Sequence, residues 1–162
     1  MTTRLVVICV LVGATFAQGP AKTPASAALK EYSYASDGFA IKFPYAPEPH
    51  TDSNNPDFKV WTIHLSQGAG ISIRLKLDSQ PCDVALEKLK GMAKVQGVAI
   101  REFSVSGRPA WEEQEHVTGD KKLLERYVCG NGRYYVLSFA WSARDSRPQL
   151  GQEIMDSFRL TN

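Results

Sequence analysis

The chain lacks a surplus of either charge: 19 lysines and arginines face 17 aspartates and glutamates, a formal net of +2 over 162 residues. With no basic excess and no basic run, electrostatics make no case for nucleic acid as a partner or for an anionic membrane surface. Phosphate-cradling loops are missing as well, since no glycine-rich run ends in Lys followed by Ser or Thr and no GxGxxG opens a helix. Gly107 follows Ser106, but no serine sits in a Gly-x-Ser-x-Gly elbow, and neither HExxH nor CxxC spacing occurs. Histidine is scarce at three residues, His50, His64 and His116. Long apolar runs are absent too: Leu5 to Val12 falls well short of the roughly 20 residues that span a bilayer.

What the N-terminus does carry is one positive charge in Met1-Thr2-Thr3-Arg4, the apolar run, and small residues in Gly13-Ala14-Thr15-Phe16-Ala17. That is the layout of a secretory signal peptide, with cleavage expected between Ala17 and Gln18. Cys9 lies inside the apolar run with none in front of it, so it does not match a lipoprotein attachment site. The segment "QGPAKTPASAAL" is rich in Pro, Ala and Ser and reads as a flexible leader. The expected organisation is residues 1–17 as signal peptide, 18–30 as leader and 31–162 as one domain, a length that suits a single core. The mature protein is expected to be exported, periplasmic or extracellular, with no membrane span.

Only Cys82 and Cys129 survive cleavage, and an even pair in an exported protein is readily oxidised. A bridge between them restricts the unfolded chain by about 4 kcal/mol on the chain-entropy view. The alternatives are two buried free thiols or a reactive thiol, because the bridge needs a close approach that spacing cannot show.

From Tyr32 onward, period-two alternation marks strands with one buried face. In "SDGFAIKFPYAPEP", Asp37-Gly38 turns the chain, Phe39, Ile41 and Phe43 anchor a strand, and Pro44 ends it; Tyr45 is the residue there placed to face a partner. Trp61, Ile63 and Leu65, then Ile71, Ile73, Leu75 and Leu77, predict a hairpin across Gly68-Ala69-Gly70. Between Cys82 and Gln96 the period becomes helical, with Ala85, Leu86, Leu89, Met92 and Ala93 inward, Pro81 at the start and Gly97 past the end. Strands are then expected at Ile100 to Val105, Trp111 to Val117, Leu123 to Cys129 and Tyr134 to Trp141, with Asn131-Gly132 the strongest hairpin signal. Asp145 or Ser146 is expected to cap a last helix with Leu150, Ile154 and Phe158 inward. The expected class is α+β, an antiparallel sheet flanked by helices.

Four stretches, "DGFAIKFPYAPEP", "SVSGRPAWEEQ", "ERYVCGNGRYYVLSFAW" and "IMDSFRL", resemble the PsbP-like superfamily in order and kind from about Tyr32 to Leu160. The group includes the extrinsic PsbP protein of photosystem II and DcrB-type lipoproteins. The resemblance implies an α/β/α sandwich that is usually non-enzymatic, carries no cofactor and often acts through protein contact. No lipobox is present, and nothing in the chain carries over a photosystem partner.

Metal chemistry has one candidate pair. A continuous strand through Trp111-Glu112-Glu113-Gln114-Glu115-His116 puts Glu112, Gln114 and His116 on one face, where Glu112 and His116 can offer two ligands of the three or four that sites need. Asp120 at the neighbouring turn offers an oxygen; His50 and His64 are distant in sequence. Tyr127, Tyr134, Tyr135, Phe139 and Trp141 read as cross-strand core pairs ahead of a ligand cleft, with Tyr134 and Tyr135 splitting across the two faces. The leading expectation is an exported, non-catalytic binding or accessory protein for a protein partner or small ligand. The others are a divalent-metal-binding protein or hydrolase centred on Glu112 and His116, and a structural envelope protein.

Overall fold

The computed structural model describes residues 28–65, 68–76 and 81–161. The expected signal peptide, the expected Ala17–Gln18 cleavage junction, most of the expected leader and Leu77 lie outside the described residues. A short 3-10 turn at Ala35–Asp37, closed by Gly38 at φ 77°, folds β1 (Lys30–Tyr34) back onto β2 (Phe39–Phe43). Only a residue without a Cβ suits that conformation and also leaves room for the Tyr135 hydroxyl, which would lie 2.8 Å from an added Cβ. Lys30, expected at the end of the leader, already pairs with Phe43 in the sheet.

A two-residue strand β3 (His50–Thr51) follows, then β4 (Phe58–His64) and β5 (Gly70–Lys76), which pair as the expected hairpin with Trp61 opposite Ile73. Helix α1 (Cys82–Val95) begins right after Pro81, which has no N–H to lose. Next come β6 (Ile100–Val105), β7 (Arg108–Glu113), β8 (His116–Thr118), β9 (Lys121–Gly130) and β10 (Arg133–Ser142). Asn131 and Gly132 both take positive φ, 52° and 70°, the mirror-image turn that matches the twist of a two-residue hairpin. Helix α2 (Gln149–Asp156) and β11 (Arg159–Leu160) end the chain.

Every strand pair among the described residues is antiparallel. One sheet runs β1-β2-β11 and the other β3-β4-β5-β10-β9-β7-β6, with β8 also on β9. Trp61, Ile73, Tyr135, Phe139 and Trp141, none more than 1% exposed, line one face of the large sheet. They pack against Phe39, Ile41 and Phe43 of the small sheet and Ile154 and Met155 of α2. Each large apolar side chain so buried contributes about 1.5–3 kcal/mol. The opposite face carries a second cluster in which Cys82, Leu86 and Ala93 of α1 meet Trp111, Tyr127 and Tyr134.

The described residues form a mostly antiparallel architecture with two helices, in which helix covers less of the expected flanking layers than sheet does. The helices have only 14 and 8 residues. The layer opposite α1 is built largely of a second sheet, because Lys30–Tyr34 and Arg159–Leu160, distant in sequence, both pair with β2. Neither Asp145 nor Ser146 caps α2, which starts after Pro148 with no side-chain cap. Met92, expected inward, is 49% exposed. Tyr134 and Tyr135 do split across the faces, yet both are buried, at 7% and 0%, because α1 covers the first.

Candidate functional site

Cys82 and Cys129 form a disulfide with their Cα atoms 5.5 Å apart. It ties the first residue of α1 to β9 and so fixes where the helix crosses the sheet. Beneath the helix, the pairing Phe58–Lys76 between β4 and β5 continues as Lys76–Tyr134 between β5 and β10, a single rung across three strands. Residues in one rung share a face. On α1, Ala85, Leu89 and Met92 stand four and three residues apart and therefore lie on one side of the helix. Helix and rung enclose a cleft of about 340 Å³, also bordered by Lys88 and Gly132.

The cleft has an apolar floor and a cationic rim. Phe58 is half-buried and Tyr134 buried, and the Lys76 ammonium lies 5.2 Å from the Phe58 ring centre and 3.1 Å from Asp57 Oδ2. Desolvation, reinforced by the charges of Glu125 and Glu113 and opposed by Arg74, holds the Tyr134 phenol well above its ordinary value, so it remains a neutral hydrogen-bonding group. Met92, at the edge of the cleft, is 49% exposed, and Val84 and Val95 elsewhere on α1 are 60% and 89% exposed. Tyr45 is 46% exposed, but its hydroxyl accepts from the His64 amide at 3.0 Å and donates to the His64 carbonyl at 3.3 Å, which fastens the post-strand loop to the end of β4.

Beyond the helix, the same sheet face carries a polar chain. Arg74 Nη2 donates to Glu125 Oε1 at 2.9 Å and to Ser138 Oγ at 3.2 Å, and Ser138 donates to the same carboxylate oxygen at 2.6 Å. The Tyr127 hydroxyl shares its one proton between Glu125 Oε2 at 2.8 Å and Glu113 Oε1 at 3.0 Å. Burial first, then these two carboxylates, push its phenol far up, so Tyr127 stays protonated. His116 Nδ1 stands 3.7 Å from Glu113 Oε2, beyond hydrogen-bond reach. Ser138 donates to the Glu125 carboxylate and bonds no histidine among the described residues.

The expectation that Glu112 and His116 share a face is corrected here. Glu112 pairs with Arg126, whereas His116 pairs with Leu123. Four steps along β7 and β8 therefore oppose three along β9, the single extra residue of a β-bulge, which turns the side chains after it to the other face. Glu113, not Glu112, joins His116. Glu112 instead lies 7% exposed on the inner face, where Arg126 Nε donates to its Oε2 and Arg101 Nη2 donates to its Oε1 at 2.8 Å. Arg126 also reaches Asp156 Oδ1 at 2.6 Å, which links β9 to α2. Both Glu112 oxygens are thus engaged by guanidinium groups, and among the described residues no group of three His, Cys, Asp or Glu side chains converges to hold a metal. His50 and His64 are exposed on β3 and at the end of β4, and Asp120 sits at the turn into β9, where its carbonyl accepts from the Ala143 amide at 2.8 Å.

Phe58, Lys76 and Lys88 were not singled out from the sequence. Their signal was the parity match of Phe58, Lys76 and Tyr134 once three strands are aligned, which requires the register.

No family model and no curated protein matches the chain. Among solved structures, the solution structure of cyanobacterial PsbP (CyanoP) from Synechocystis sp. PCC 6803 superimposes with a TM-score of 0.54 at 15% identity, covering 88% of this chain and 98% of that one. The fold is PsbP-like.

Proposed function

We propose that the protein is an exported, non-catalytic binding or accessory protein, with PsbP-like α/β/α layering, whose working surface is the cleft beneath α1. The observation that carries this reading is the continuity of that cleft, through Met92, with the adjoining hollow lined by the exposed Val95 of the same helix. Contiguous apolar surface beside a preformed hollow is the usual mark of a contact site, whereas single exposed apolar residues are not. Export is supported by the N-terminal pattern and by the disulfide, since such bonds persist in oxidising compartments. The absence of catalysis is inferred from the polar chain, in which the Tyr127 and Ser138 hydroxyls both donate to Glu125 and neither bonds a histidine among the described residues.

The test is retrieval of a partner or ligand from the envelope and secreted fractions of the producing cell by the mature protein, compared with Met92→Glu. The wild type is expected to retain a specific molecule and the variant to lose it while melting at the same temperature. Equal retrieval by both, or retrieval of nothing by either, overturns the assignment of this surface.

A further inference from the structure

The described clefts differ in the sign of the charge that borders them. The one at the edge of β6 and α2 mixes Arg101, Arg126 and Arg159 with Asp156, and the one beside the disulfide sets Arg108 against Asp83 and Glu87. The shallow trough on the bare half of the sheet has Arg74 and Lys121 against Glu125. Only the cleft beneath α1, together with the hollow that adjoins it at Lys88 and Met92, is bordered by positive charge alone among these sites. On the helix itself, Lys90 is held by Glu102 at 2.8 Å and Glu87 at 3.6 Å, whereas Lys88 makes no ion pair or hydrogen bond among the described residues. Lys76 closes the opposite rim, bound to Asp57 and lying over the Phe58 ring.

We propose that the occupant of this cleft is a small amphipathic acid: an apolar aliphatic or aromatic body with a single carboxylate. This rests on the binding role proposed above for the same cleft and names its ligand class. The body lies between Phe58 and Tyr134 below and Leu89 and Met92 above, where an unbranched thioether adjusts to different shapes. The carboxylate stands at the rim, within reach of the Lys88 ammonium, which needs no existing partner displaced. A cationic or zwitterionic ligand meets the Lys88 ammonium and no carboxylate in the lining, so the site selects against it. A neutral ligand gains the apolar contact but not the ion pair.

The experiment is a titration of isotope-labelled mature protein, disulfide intact, with octanoate and with octanol, followed through amide shifts. Octanoate is expected to shift α1 and the Phe58–Lys76–Tyr134 rung saturably. Octanol is expected to bind the same residues about threefold to fivefold more weakly, the difference that a surface ion pair of up to about 1 kcal/mol produces. Lys88→Gln, which replaces an exposed side chain and keeps the melting temperature, lowers octanoate affinity by the same about threefold to fivefold and leaves octanol unchanged. Lys94→Gln, a lysine outside the cleft lining, changes neither. Equal affinity for the two probes, or an octanoate affinity indifferent to Lys88→Gln, overturns the charge selection while the cleft survives as a binding site. Shifts confined to other surfaces, or no saturable shift with either probe, overturn the ligand proposal and the cleft reading together.

Discussion

Replacing both Cys82 and Cys129 with alanine tests the part of the structure on which the cleft depends. The bridge joins residues 47 apart, and closing a loop of that length removes about 4 kcal/mol of conformational freedom from the unfolded chain. A domain of this size has about 5–15 kcal/mol to lose in total, so the variant gives up a large fraction of its margin. In thermal terms the loss corresponds to a drop of about 10–20 °C. The local effect is sharper than the global one. Without the bridge, the N-terminal turn of α1 relies on the packing of Leu86 and its neighbours against Trp111, Tyr127 and Tyr134. Amide exchange in α1 is therefore expected to accelerate more than exchange in β5 or β10, whose ladders are paired on both sides. Urea denaturation followed by tryptophan fluorescence gives the global figure, and hydrogen exchange gives the distribution. An unfolding free energy within about 1 kcal/mol of wild type, or a free-thiol count of two in unreduced protein, refutes the reasoning.

Three further outcomes follow from the geometry. Gly38→Ala and Gly132→Ala both force a side chain to positive φ, at 77° and 70°, but only the first brings a Cβ to 2.8 Å from the Tyr135 hydroxyl; equilibrium unfolding is expected to show a loss of about 1 kcal/mol for Gly132 and clearly more for Gly38. Glu112→Ala leaves the Arg126 guanidinium, 5% exposed as a residue, without its inner partner; it is expected to destabilise by about 3 kcal/mol, and the double variant Glu112→Leu with Arg126→Met to recover most of that, whereas equal losses in both contradict the ion-pair account. Desolvation is the leading cause that raises the phenols of Tyr127, Tyr134 and Tyr135 above the ordinary value of 10.0. Their folded-state protons are held more tightly than in the unfolded chain, so stability is intact below pH 10 and falls as pH climbs beyond it. Ultraviolet titration is expected to show these three ionising only with loss of tertiary fluorescence, and early ionisation without unfolding contradicts their burial.

The elements legible from sequence were those specified by neighbours along the chain. Phe39, Ile41 and Phe43 gave a strand from alternation alone, the β4–β5 hairpin followed from two alternating runs around glycines, and Asn131-Gly132 produced the two-residue turn its backbone preference demands. Helix α1 was read from its period, although Met92 stays 49% exposed at the edge of the cleft. The less legible features depend on register between distant segments. The three-stranded sheet needs β11 to return to β2, and two residues of pairing leave almost no periodic trace. The bulge between β7 and β8 is invisible without β9 opposite it, which is why Glu112 was matched to His116 when Glu113 is its neighbour. The cleft belongs to the same class, being a rung of three strands roofed by a helix. Cysteine count pointed to the disulfide, while the 5.5 Å Cα separation that permits it comes from the fold.

The working-surface assignment is tested most directly by site-specific crosslinking in the producing cell. A photo-reactive phenylalanine analogue is placed at Met92, beside the cleft, and separately at Val117, equally apolar and 63% exposed but on β8. The account predicts a discrete adduct, protein or small molecule, from position 92 and none from position 117. Adducts from Val117 with none from Met92 contradict it and move the contact surface to the far end of the sheet.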